Sequence, residues 1–160
     1  MKIHKIFWLL LLLLCSCGKP PITSEPVRPI IAEPDKPIEK DPVSIRNEKL
    51  LQLHNTQRNL KGRPNLELDP YLCEYAQKHA DWMASVNRLK HSNISNLMDK
   101  YYTAGENIAW NQQNEEEVVD GWMHSSGHRA NILNRGFTKV GFALQYNKSG
   151  EPYWCTCFGG

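Results

Sequence analysis

The stretch "GWMHSSGHRANIL", Gly121 to Leu133, carries two histidines, His124 and His128, four residues apart. On one continuous helix that spacing sets both imidazoles on one face. Neutral ring nitrogens so placed can ligate a divalent ion or pass a proton. Between them, however, Ser125-Ser126-Gly127 breaks the helical pattern and destroys the shared face. A chemical partner for either ring must then come from elsewhere in the chain. No H-E-x-x-H occurs, and no serine or cysteine sits in a recognisable nucleophile motif, which weighs against metallopeptidase and acyl-transfer chemistry.

The cysteines allow a second kind of chemistry. Cys155 and Cys157 are two apart in a strand-like segment, so they face the same side and do not bridge each other without distortion. Cys73 either pairs with Cys155 or Cys157 in an oxidising compartment, or all three remain free thiols. Their spacing does not match a zinc ribbon.

The elements that must position these residues follow from periodicity. "SIRNEKLLQLHNTQRNLKG" reads as a first helix, with Ile45, Leu50, Leu53, His54 and Gln57 on one side and Gly62 as a stop. A second helix follows Asp69, a good N-cap, with Pro70 in its first turn. Its apolar stripe is Leu72, Ala76, Ala80 and Met83, widened by Tyr75, His79 and Trp82. His54 and His79 are read as packing histidines. "NISNLMDKY" reads as a short helix and "TAGENIAW" as a polar loop. A third helix starts at Asn114, whose pairing with Glu117 fits a capping box, and Glu115 to Glu117 suit its positive end. Ser126 is expected to cap a short helix through "GHRANIL". "KVGFALQY" and "PYWCTCF", separated by "NKSGE", predict a hairpin. Helices first and strands last give an α+β domain with helices on an antiparallel sheet.

The N-terminal part has another character. Lys2 and Lys5 precede a nine-residue apolar run, Ile6 to Leu14, too short to span a bilayer but suited to a secretory signal. Leu14 lies three residues before Cys17, and small Ser16 directly before it; the "LCSC" sequence resembles a bacterial lipobox. Residues 1–16 therefore read as a lipoprotein signal peptide and Cys17 as the lipidated residue. Without residues 1–16 the chain has 17 basic and 17 acidic side chains, against a formal charge of +2 for the whole. Zero net charge argues against a nucleic-acid partner. Seven of the ten prolines fall in residues 18–44, so 17–44 reads as a disordered tether. Residues 45–160 remain, enough for one domain with a core.

Several short stretches, in order, resemble the CAP superfamily of cysteine-rich secretory proteins, antigen-five proteins and pathogenesis-related proteins. They are "HNTQR", "LELDPYLCEYAQKHADWM", "LKHS", "AGENIA", "EEVVDGWMHSSGHRANIL", "FTKVGFAL" and "YWCTCFG". "GHRANIL" and the short C-terminal end are similar to the bacterial branch. The resemblance implies a three-layer α-β-α sandwich with a small antiparallel sheet and a cleft bearing two histidines and two glutamates. The first histidine matches His91, the first glutamate Glu106 and the second histidine His128. Ser125 stands where the second glutamate is expected, so the tetrad is incomplete. His91, His128 and Glu106 are the expected metal ligands, for weakly bound zinc or another divalent cation. Ser125 and Asn107 are expected to line the cleft.

These readings lead to a lipid-anchored, surface-exposed binding module of the bacterial envelope. Its partners are the membrane, through the lipid, and a protein, a glycan or a small apolar ligand. The alternative is a metal-dependent, peptidase-like hydrolase using His91, His128 and Glu106, with Glu106 as general base. A structural surface protein with a vestigial cleft is a third reading.

Overall fold

The computed structural model describes residues 40–160. The expected signal peptide, the expected lipidation site Cys17 and the proline-rich segment up to residue 39 lie outside the described residues. Among the described residues, no helix is long and apolar enough to cross a membrane.

Helix α1 (Pro42–Asn59) begins three residues before the expected domain boundary, because Asp41 caps it: its carboxylate accepts from the amides of Val43 and Ser44. Its buried residues are Asn47, Leu50, His54 and Arg58. Ile45 points to solvent instead, since the helical register through Leu50 and His54 turns Asn47 inward. Arg58 is fully buried and, among the described residues, has no carboxylate partner; it donates to the carbonyls of Pro64, Ile132, Asn134 and Phe137. It thereby ties the end of α1 to two chain segments, one of them more than 70 residues away.

After the two-residue strand β1 (Glu67–Leu68), helix α2 (Pro70–Val86) starts on the Asp69 cap, and Leu72, Ala76, Ala80 and Met83 are buried as the stripe requires. It stops at Asn87, whose left-handed conformation ends the helical run. A 3₁₀ turn (Ile94–Leu97) and strand β2 (Ala104–Trp110) follow. The segment read as a polar loop is thus a strand. Its polar residues Glu106 and Asn107 are buried and hydrogen-bonded, so polarity did not mean exposure.

Helix α3 (Glu115–His124) carries the expected box: Asn114 accepts from the Glu117 amide, and the Glu117 carboxylate accepts from the Gln113 amide. Helix α4 (Ser126–Ile132) follows after one residue. Ser125, not Ser126, is the cap position, and its side chain makes no capping bond. Strands β3 (Lys139–Tyr146) and β4 (Pro152–Gly159) form the expected hairpin, closed by Asn147 accepting from the amides of Ser149 and Glu151.

The sheet order is β1-β3-β4-β2. β1 runs parallel to β3, so the sheet is mixed rather than wholly antiparallel. On one face Ile108, Ala143, Cys155 and Cys157 pack against α2. On the other, Val140, Phe142, Trp154 and Phe158 pack against residues of α1, α3 and α4, including Leu50, Trp122 and Ile132. This is the three-layer sandwich. Trp122 and Trp154 anchor its second core, each contributing roughly 4–6 kcal/mol of transfer free energy. Gly141 permits the contact of β3 with α2, since a Cβ there would lie 2.1 Å from the Cys73 amide nitrogen.

The cysteine pairing does not form: Cys73, Cys155 and Cys157 are free thiols. Leu72 and Ala76 occupy the α2 face over β4, and the helical rotation of one residue carries Cys73 off that face. Its sulfur lies 4.0 Å from the Asn47 amide nitrogen of α1 instead.

Candidate functional site at the edge of the sheet

β2 is an edge strand, and alternation along it sends Glu106 and Ile108 to the α2 side and Asn107 to the side of α4. The edge is not bare. Asn131 of α4 donates to the Glu106 carbonyl and the Trp122 indole donates to the Ile108 carbonyl, which pulls α3 and α4 against the strand.

Glu106 is 4% exposed. Its Oε1 lies 2.7 Å from Nδ1 of His91 and accepts from the Ser92 amide at 2.9 Å. Its Oε2 lies 3.9 Å from both the Cys155 sulfur and Nε2 of His79. The His91 ring is 59% exposed, so a buried carboxylate orients an imidazole that faces water. With Nδ1 engaged, Nε2 is the nitrogen left for a ligand.

His128 is half-buried on α4, its carbonyl accepting from Asn107. Burial, and then the charge of His91, hold its pKa below the usual imidazole value, so the ring stays neutral at pH 7 with a free lone pair. It borders a cleft of about 310 Å³ lined also by Leu89, Ile108, Trp110, Trp122 and Ser125. The walls are mainly apolar.

The structure therefore joins His91 to Glu106 and puts Ser125 and His128 together in the cleft. It does not gather His91, His128 and Glu106 as one compact ligand set. Among the described residues, the group with one ligand atom each within 4.8 Å of one another is Glu106, Cys155 and Cys157. The two histidines come from different parts of the chain, His91 from the segment after α2 and His128 from α4, and are near enough for the charge of His91 to act on His128. Asn107 does not line the cleft either. It is fully buried and holds α4, through the His128 carbonyl and the Asn131 amide group. His124 is exposed and bonds within its own helix.

His79 is the neighbour that sequence reasoning missed. Its ring stacks on Trp82 and bonds the Lys90 carbonyl, which fixes the loop carrying His91. The available signal was an imidazole at the edge of the buried α2 stripe. His54, by contrast, is a packing residue: it is buried among Trp122, Phe142 and Phe158.

The molecule is thus a three-layer sandwich whose edge strand offers a carboxylate to an imidazole beside an apolar cleft. The chain belongs to the CAP, or cysteine-rich secretory protein, family, whose model matches residues 51–158. It is 36% identical over 118 residues to the uncharacterized protein YkwD of Bacillus subtilis; the match covers 68% of this chain and 45% of that protein, so the chain spans under half of that relative. The fold is shared with an outer surface protein of Borrelia burgdorferi, with a TM-score of 0.61 at 18% identity, over 72% of this chain and 90% of that one. It is also shared with NaASP2, whose structure was determined with Zn2+, with a TM-score of 0.59 at 16% identity, over 71% and 78% of the two chains.

Proposed function

We propose that this protein is an extracellular binding module, held to a bacterial membrane by lipid on Cys17 and receiving an apolar ligand in the cleft along β2. The observation that carries the reading is the lining. Leu89, Ile108, Trp110, Val118 and Trp122 supply apolar wall, while Gln112, Ser125 and His128 are its polar side chains. Such a surface suits retention of an apolar molecule with one hydrogen-bonding end. It lacks the second carboxylate that an acid-base pair would use. Surface exposure is consistent with the naming of the Borrelia neighbour as an outer surface protein.

A divalent ion is a secondary feature of this reading. His91, oriented by Glu106, and neutral His128 are the residues that would hold it. Their donor chemistry suits zinc, with Glu106 acting from the outer shell. Bound there, zinc would polarise a ligand oxygen. With Ser125 in place of a carboxylate, weak retention is expected.

The test uses a dansyl-labelled fatty acid as probe. Gly121 lines the cleft, and a Cβ there meets nothing within 4 Å. Gly121→Leu should fill the cleft, abolish probe binding and leave the circular dichroism of the domain intact. Unchanged binding in that variant overturns the assignment of the cleft. Turnover of a peptide library that is lost in Glu106→Ala would favour the hydrolase instead.

A further inference from the structure

Glu106 has a second side. Whereas Oε1 serves His91, Oε2 faces inward to Cys155. We propose that Glu106, Cys155 and Cys157 form a second metal site, selective for a thiophilic ion such as zinc and separate from the cleft histidines.

The geometry is the main argument. The two sulfurs lie 3.9 Å apart, and the Cys155 sulfur lies 3.9 Å from Oε2 of Glu106. A tetrahedral ion with metal–sulfur bonds of about 2.3 Å holds its sulfurs about 3.8 Å apart. The three donors therefore already stand close to three corners of a tetrahedron, and binding needs little rearrangement. All three residues are buried, and each is fixed by pairing within the sheet, with Glu106 directly opposite Cys157. Donors held on strands are the kind that keep a coordination geometry.

The alternative fate of the two thiols is unfavourable. Residues two apart on a strand have Cα atoms about 6.7 Å apart, at the upper limit for a disulfide. Closing the bond would bend β4, a central strand. An entering ion would displace the thiol protons.

A surface cavity lies on the Ser92 and His79 side of Glu106. Tyr75, His79 and Ser92 line this cavity of about 200 Å³, and two of them approach Glu106: Ser92 through its amide, His79 at 3.9 Å. His79, currently bonded to the Lys90 carbonyl, or a water from this cavity would complete the fourth corner.

The test is X-ray absorption spectroscopy on the reduced full-length chain loaded with one equivalent of zinc. Two sulfur neighbours at about 2.3 Å are expected. Cobalt substitution should give a thiolate-to-cobalt charge-transfer band that persists in Cys17→Ser, Cys73→Ser and His128→Ala and is lost in Cys155→Ser or Cys157→Ser. A zinc shell of nitrogen and oxygen alone overturns this inference while leaving the cleft histidines as the metal site. Failure to retain zinc at all overturns it too. The wild-type absorption measurement needs no variant, so misfolding of a cysteine variant does not blunt the test.

Discussion

His54 shows how one side chain sets a response to pH. Its Nδ1 donates to the Leu50 carbonyl, while Nε2 is buried among aromatic rings with no partner among the described residues. Burial, which is the dominant cause, takes its pKa from 6.5 to about 4. Below pH 6.5 the unfolded chain binds a proton that the folded chain refuses. Stability is therefore full above that value and is lost as pH falls towards 4, by on the order of 3 kcal/mol. Denaturant titrations from pH 7 to pH 4 should show this slope, and His54→Phe should flatten it; an equal slope in both proteins would assign the acid sensitivity elsewhere. Ser125 carries the second expectation at this scale. Since it shares the cleft with His128, Ser125→Glu should restore a carboxylate near the histidines and tighten zinc binding about tenfold, an outer-shell effect. Calorimetry should see that gain disappear when His128→Ala is added. His91, Glu106 and His128 were legible only through the family pattern, because nothing local links residues 91, 106 and 128. The place of His79 beside Glu106 and the inward side of Glu106 were not legible, since both depend on how α2, packed on β3 and β4, and the segment after it meet the edge strand.

At the scale of the elements, caps and hydrophobic stripes read well because they are local. Asp69-Pro70 opened α2, Asn114 and Glu117 opened α3, and the "NKSGE" segment closed the hairpin. β2 failed because a strand whose polar residues are satisfied inside the protein has no alternating pattern to detect. Its stability comes from β4, which pairs with it along all seven residues. Likewise β1 is too short to show a period, and its parallel pairing with β3 comes from the chain path. Contact between α2 and β3 rests on Gly141. Gly141→Ala should force the N-terminal end of α2 away from the sheet and cost about 1–3 kcal/mol by overpacking. A melting temperature within a degree of the parent would show that α2 can shift without penalty.

At the scale of the whole molecule, the proposed anchor and the domain make separable predictions. Cys17→Ala should release the protein from membranes or leave its precursor uncut, as fractionation and fatty-acid labelling would reveal; label that persists in the variant removes Cys17 from the proposal. The sandwich itself has an unusual order of assembly. Its two central strands, β3 and β4, are the last two elements in the chain, while the flanking strands β1 and β2 come first. Glu67 must find Lys139, and Ala104 must find Gly159. Neither helical layer has a sheet to rest on until the final hairpin is present, and pairings so distant in sequence form slowly. A ribosome or a translocation pore that has delivered only the residues before β3 therefore holds a chain still unable to fold, and the domain closes only after its tail emerges.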